Sequence, residues 1–138
     1  GYGGPFLMEN NDKKYYVYVC SVNNNSVYVG KGSGDRYKHC TSGRSSCAEL
    51  NRDLFKYGVR AFSVIKVLEG LTEQEAFEYE KAAIIAGGND FYNRVHQYNP
   101  GKHRLFPNED KRECDVDKGM YFWYCWAIIN DPDYKWNE

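Results

Sequence analysis

YYVYVCSVNNNSVYVGKGSGDRYKH, residues 15–39, is the stretch whose reading decides the fold. It contains two short apolar runs, residues 15–20 and 26–30, separated by Asn23, Asn24 and Asn25. Val17 and Val19 alternate with Tyr16 and Tyr18, and the second run carries Val27, Tyr28 and Val29. β-Branched and aromatic residues in alternation suit a pleated, half-buried surface. Asn tolerates the left-handed backbone that a tight connection requires, so the stretch predicts a β-hairpin. A Gly-punctuated loop, residues 31–35, leads directly to Arg36, Lys38 and His39. Gly32 and Gly34 keep side-chain bulk out of that loop, which either makes a turn or lets backbone amides approach an anion.

Beyond the hairpin, Asp35 is a candidate cap for a short helix that places Arg36 and His39 on one face. Ser46 and Glu49 form a capping-box pattern for a second helix, with Ala48, Leu50, Leu54, Phe55 and Tyr57 on its apolar side and Gly58 as its stop. Residues 62–68 (FSVIKVL) are near-continuously apolar and read as a central strand buried on both faces. Thr72 and Glu75 form a second capping box, opening the strongest helix, residues 73–86. Its inward side is read as Leu71, Ala76, Phe77, Tyr79, Glu80, Ala83, Ile84 and Ala86, and Gly87-Gly88 ends it. Glu80 is the anomaly, because a carboxylate inside an apolar stripe is costly without a cation, a metal or a hydrogen-bond network.

Residues 94–117 lose all periodicity and read as a long functional or mobile loop. Residues 120–129 (MYFWYCWAII) are too few to span a bilayer. They either close the core or form a surface for self-association, and the interface reading is preferred. Residues 1–14 read as a lead, of which 1–7 lie outside the fold and 8–14 run as a polar, ordered approach to the first strand; residues 15–93 read as the core, and residues 94–138 as an extension of the same domain. The expected architecture is α/β in the broad sense (α+β): a small three-stranded, largely antiparallel sheet flanked by helices.

The chain has 138 residues, 13 of them tyrosine, and a net charge of −1. Near-neutrality gives no global attraction to polyanions, so any such site rests on local charge. Residues 31–60 supply it, with seven Lys/Arg against three Asp/Glu, whereas residues 69–82 carry five Glu and one Lys. Such runs also arise as plain solvated faces. Five cysteines without a C-x-x-C pair point to free thiols in a reducing, cytoplasmic setting. A zinc site from His39, Cys40, Cys47 and a distant ligand lacks the usual paired spacing and is the lesser reading. No signal-peptide pattern or membrane-spanning run is visible.

The hairpin resembles the two signature triplets of the GIY-YIG nuclease superfamily, here Tyr16-Val17-Tyr18 and Tyr28-Val29-Gly30. Lys31 directly after the second triplet, Arg36 on the first helix and His39 just past it match positions used in that family. Glu80 matches its helical metal-binding glutamate, and Asn93, after Tyr92, its later asparagine. Tyr16 stands where glycine is usual, and valine replaces isoleucine in both triplets. The resemblance covers residues 15–93 and implies a metal-dependent endonuclease acting on DNA. It implies Tyr18 as general base, activated by Lys31 or the metal, Arg36 as phosphate clamp, and Glu80 as ligand of one Mg²⁺ or Mn²⁺. Tyr28 and His39 would orient water or phosphate, and Asn93 would hold the network. Lys38, Arg44 and Arg52 are candidate substrate contacts in the basic stretch. The segment 120–129 is a candidate homodimer surface. A non-catalytic binding module and an RNA- or structure-specific nuclease are the alternatives. On residue type alone Tyr18 and Tyr28 serve as core aromatics, His39 as a surface residue and Asn93 as a turn residue.

Overall fold

The computed structural model describes residues 12–88, 90–93, 115–131 and 133. Residues 1–11 and most of the loop expected over 94–117 lie outside the described residues. Three strands, β1 (Tyr15–Val22), β2 (Asn25–Gly32) and β3 (Phe62–Leu71), form one antiparallel sheet in the order β2-β1-β3. The expected hairpin is present. Asn23 and Asn24 both take positive φ, 52° and 69°, which suits the right-handed twist of the flanking strands. The Asn23 amide donates to the Ala61 carbonyl at 2.8 Å and ties the turn to the short 3-10 turn Val59–Ala61.

The central strand is β1, not β3 as the apolar run at 62–68 suggested. β1 is buried from Tyr16 to Val22, whereas β3 is an edge strand and mostly half-buried. The tyrosines of β1 misled the reading. Tyr reads as half-polar, yet its ring fills core volume when its hydroxyl finds a partner. One face of β1 presents Val17 and Val19, which pack with Val29, Val67, Ala76, Ala83, Ile84 and Phe122. The other presents Tyr16, Tyr18, Cys20 and Val22, which pack with Val27, Cys40 and Leu50.

A helical layer covers each face. Over the tyrosine face lie a 3-10 helix, Arg36–Thr41, and α1 (Ala48–Tyr57). Over the valine face lie α2 (Glu73–Gly87) and α3 (Val116–Asn130). Both bonds of the Thr72/Glu75 capping box form, at 3.1 and 2.8 Å. The other expected caps do not: Asp35 makes no side-chain cap bond, and α1 is capped at Cys47 rather than by Ser46 and Glu49. Ala48, Phe55, Tyr57 and Phe77, placed inward by the sequence reading, are exposed, and so is Ala86. α1 turns Leu50 and Asp53 inward instead, and α2 is covered on a second flank by α3.

α3 begins at Val116, before the aromatic run, with the Asp115 carboxylate accepting from the Lys118 amide. It approaches α2 closely at Gly119, where a Cβ would lie 2.9 Å from the Ala82 carbonyl oxygen. Phe122 is fully buried and Trp123 Nε1 donates to the Ala83 carbonyl at 2.9 Å. Met120, Tyr121 and Ile129 remain on an exposed flank, so the segment closes the core on one side only. No described helix is long and apolar enough to cross a membrane.

Gly30 pairs across the hairpin with Tyr18, and a Cβ at Gly30 would collide with the hydroxyl end of the Tyr18 ring, at Cζ and Oη. Gly30→Ala is therefore expected to cost about 1–3 kcal/mol by overpacking. Urea unfolding should show that loss, and Tyr18→Val in the same chain should recover part of it. A simple sum of the two single losses would show that the ring is not what excludes the methyl.

Candidate active site

The buried tyrosines of β1 organise the loop that follows β2. Tyr16 is 4% exposed; its hydroxyl donates to the Gly34 carbonyl at 2.9 Å and accepts from the Tyr37 amide at 3.1 Å. The glycine loop is thereby drawn against the sheet. The 3-10 helix after it has three residues per turn, which eclipses Arg36 and His39 on one side. Lys66 of β3 places its amine 4.5 Å from the ring centres of both Tyr16 and Tyr37, a cationic contact the sequence reading missed.

His39 is the junction. Its Nε2 lies 2.7 Å from the Tyr18 hydroxyl and its Nδ1 lies 2.6 Å from Ser45 Oγ. Ser45 Oγ also accepts from the Cys47 amide at 3.0 Å, and Asn51 bonds both backbone groups of Ser45. The imidazole sits edge-on to the rings of Tyr18 and Tyr28, with centroids 6.0 and 5.4 Å away. Both ring nitrogens are engaged, which removes His39 from the zinc set. No group of three or more His, Cys, Asp or Glu gathers for a metal among the described residues.

Asn93 fixes the edge of β2. Its Oδ1 accepts from the Val29 amide at 3.0 Å and its Nδ2 donates to the Val29 carbonyl at 2.6 Å. The preceding Tyr92 amide donates to the Val27 carbonyl at 2.6 Å. Residues 92 and 93 thus act as a short surrogate strand where the sheet would otherwise end. This brings the end of the α2 segment beside Tyr28. A cleft of about 250 Å³ opens there, with Tyr28, Glu49, Glu80, Tyr92 and Asn93 among its walls. Glu80 is 8% exposed.

The same charges act on both signature tyrosines. Burial pushes the Tyr28 hydroxyl up to about 12, Glu80 adds to the shift, and Arg36 opposes it. Burial, then Cys40 and Tyr28, pushes Tyr18 far above the usual phenol range, again with Arg36 opposing. The expectation that a nearby lysine brings the Tyr18 hydroxyl down is not met. Lys31 pairs with Val17, on the sheet face opposite Tyr18, and its amine lies 3.5 Å from Glu73.

Tyr18, Tyr28, Arg36, His39, Glu80 and Asn93 therefore meet at one flank of the hairpin. Lys31, Lys38 and Arg44 do not join them: Lys38 pairs with Asp35 at 3.7 Å, and Arg44 is an exposed loop residue. Arg52 stands beside the cleft through Tyr92, which accepts from its guanidinium at 3.1 Å. Tyr28 lines the cleft, while Tyr18, 1% exposed, lies behind it. The sequence reading passed over Ser45, Glu49 and Asp53. Asp53 had a signal, since it falls three residues after Leu50 within the apolar side of α1.

The cleft suits a hard divalent cation. One buried carboxylate, with Glu49 as a second on the same walls, leaves most coordination to water, which is how Mg²⁺ is usually held. Comparison with known proteins finds no matching family model and no significant match among curated proteins or solved structures.

Replacing Asn93 by Ala leaves the Val29 amide and carbonyl without their side-chain partners. Each such loss costs about 1–3 kcal/mol when buried. Asn93→Ala should therefore lower the unfolding free energy by about 2–4 kcal/mol and speed hydrogen exchange at the Val29 amide. Unchanged exchange at that amide would show that the clamp is dispensable.

Proposed function

We propose that this chain is a metal-dependent endonuclease of the GIY-YIG type that hydrolyses DNA phosphodiester bonds. The observation that carries the reading is that Tyr28, Glu80 and Asn93 line one cleft, with His39 and Tyr18 packed directly behind Tyr28 and the Arg36 charge acting on both phenols. The hydrogen-bonding need of buried Tyr18 accounts for His39, but not for the Glu80 carboxylate that shares a cleft with Tyr28.

Glu80 is the residue that would hold a Mg²⁺ or Mn²⁺ ion, with Glu49 beside it. Such an ion, when bound, neutralises charge on the phosphoryl oxygens and the leaving oxygen and favours ionisation of a neighbouring phenol. Tyr28, the phenol that lines the cleft, takes the role of general base that the resemblance gives to Tyr18. Tyr18 is nearly inaccessible and its hydroxyl is committed to His39. The Tyr28 phenolate accepts a proton from water, the water oxygen attacks phosphorus, and the leaving sugar oxygen departs with the bonding electron pair. Arg36 faces the charge that develops, with a planar fork suited to phosphate. His39, held by Ser45 and Tyr18, fixes the Tyr28 ring. Asn93 keeps β2 and the Glu80 cleft in register.

The reading places the protein in a reducing, cytoplasmic setting, in keeping with Cys20 and Cys40 as buried free thiols. The exposed flank of α3, with Val116, Met120 and Tyr121, is the surface through which two copies would meet to cut both strands. The burial of both phenols favours one rival, a binding module without catalysis.

Purified protein with Mg²⁺ or Mn²⁺ should nick supercoiled plasmid, and Glu80→Ala should abolish nicking while leaving the fold intact by circular dichroism. Binding without cleavage by the unsubstituted chain decides for the rival. A branched or RNA substrate cut in preference to duplex DNA decides for the structure-specific alternative.

The base must be ionised to act, and its hydroxyl is held above the ordinary phenol value. The nicking rate should therefore climb about tenfold per pH unit from neutrality, flattening only as Tyr28 ionises. Tyr28→Phe should be about 100-fold slower or worse, with the slope lost. A slope that survives in Tyr28→Phe and vanishes in Tyr18→Phe would return the role to Tyr18.

A further inference from the structure

Tyr92 is a wall of two clefts. Beyond it, on the side away from Glu80, lies a second opening of about 340 Å³, with Asn23, Asn25, Arg52, Lys56 and Tyr57 on its rim. Clefts of roughly 300–1,000 Å³ are the usual size for small-molecule sites, and a single nucleotide belongs to that class. Arg52 and Lys56 are four residues apart on α1 and project along one face. Between them in sequence, Phe55 is 96% exposed, and Tyr57 beside the cleft is 46% exposed.

The acid in this cleft does not oppose an anionic guest. Asp53 is 3% exposed; one of its oxygens accepts from Arg52 Nε and Nη2, at 3.1 and 2.9 Å. Its other oxygen accepts from the Tyr92 hydroxyl at 2.6 Å. The carboxylate thus acts as an internal brace that sets the Arg52 guanidinium on the Tyr92 ring, 5.4 Å from its centre. Arg52 Nη1, with two N–H groups, makes no hydrogen bond among the described residues, and the side chain is 58% exposed.

We propose that this second cleft binds the polynucleotide strand that flanks the scissile phosphate, in unpaired form. The strand runs from the Glu80 cleft across Tyr92. Its phosphates meet Arg52 and Lys56, and a base stacks on Tyr57 with Asn23 and Asn25 at its edge. Lys56, and the outward N–H groups of an Arg52 whose charge Asp53 offsets, lie beside exposed aromatic rings and suit a single strand, which gains about 1–3 kcal/mol per stacked base. A duplex relies on a larger set of phosphate contacts and offers no free base face. The inference rests on the nuclease reading for the direction of the strand, but the cleft can be tested without catalysis.

The test uses the Glu80→Ala chain, which binds without cutting under the nuclease reading. Fluorescence anisotropy is measured with a labelled oligothymidine of twenty nucleotides, a duplex of equal length and a polyglutamate peptide. The oligothymidine should bind most tightly. Adding Lys56→Glu and Tyr57→Ala, both at exposed positions, should weaken it at least tenfold. Arg52→Gln together with Lys56→Gln should reduce the slope of log K against log salt by about 1.4, the value for two lost single-strand phosphate contacts. Equal or tighter duplex binding, preference for the acidic peptide, or affinity unaffected by these substitutions would each overturn the proposal. An active chain whose cleavage keeps the same KM after Lys56→Glu and Tyr57→Ala would overturn the cleft while leaving the nuclease reading intact. Oligothymidine binding lost on these substitutions, in a chain that never cuts, would retain the cleft and reject the nuclease.

Discussion

A buried phenol must find a hydrogen-bond partner, and the central strand of this protein buries two. Tyr16 and Tyr18 lie on the same face of β1, and nothing in the sheet can satisfy their hydroxyls, because the strand ladder uses the backbone groups around them. The partners come from the next segment: Gly34 and Tyr37 for Tyr16, and His39 for Tyr18. Leaving such a group without a partner costs about 1–3 kcal/mol, enough to decide where a short polar loop settles. The loop is therefore folded back over the tyrosine face. His39 is drawn onto the tyrosine face as the partner of Tyr18, and Arg36, one turn before it on the 3-10 helix, is carried along.

A second constraint acts at the free edge of β2. β2 is an edge strand, and an unpaired edge invites further strand pairing. Asn93 and Tyr92 close it with three hydrogen bonds, to Val27 and Val29. That closure requires the chain leaving α2 to return beside Tyr28, and Gly88, with φ of 96°, caps the end of the helix. The cleft with Glu80 is the space left between this returning segment, α2 and the first turn of α1. Its position follows from how the sheet is finished.

Much of this was legible in the residues. The period-two alternation, the three asparagines and the Thr72/Glu75 box fixed the hairpin and α2 because each is a local signal with a local cause. Glu80 stood out for the same reason. Asp53 obeys the same rule on α1 and could have been found by it. Lys31 was placed with the tyrosines although strand parity argues otherwise: it is two residues from Val29, so both share the valine face. What could not be read was long-range. The edge closure by Asn93 and the His39–Ser45 bond depend on which segments meet in space. The choice of β1 over β3 as the central strand turned on tyrosines that hydropathy counts as half-polar.

The electrostatics of the cleft give the arrangement a direction. Tyr28 is held in its protonated form by burial and by the neighbouring Glu80 carboxylate, while Arg36 pulls the other way. A positive charge placed at Glu80 would cancel the contribution of that carboxylate and reverse its sign. Linkage then requires that whatever cation favours the ionised phenol is itself bound more tightly as the phenol ionises. Burial alone makes a poor base of a tyrosine; burial beside a carboxylate makes its ionisation conditional on a cation.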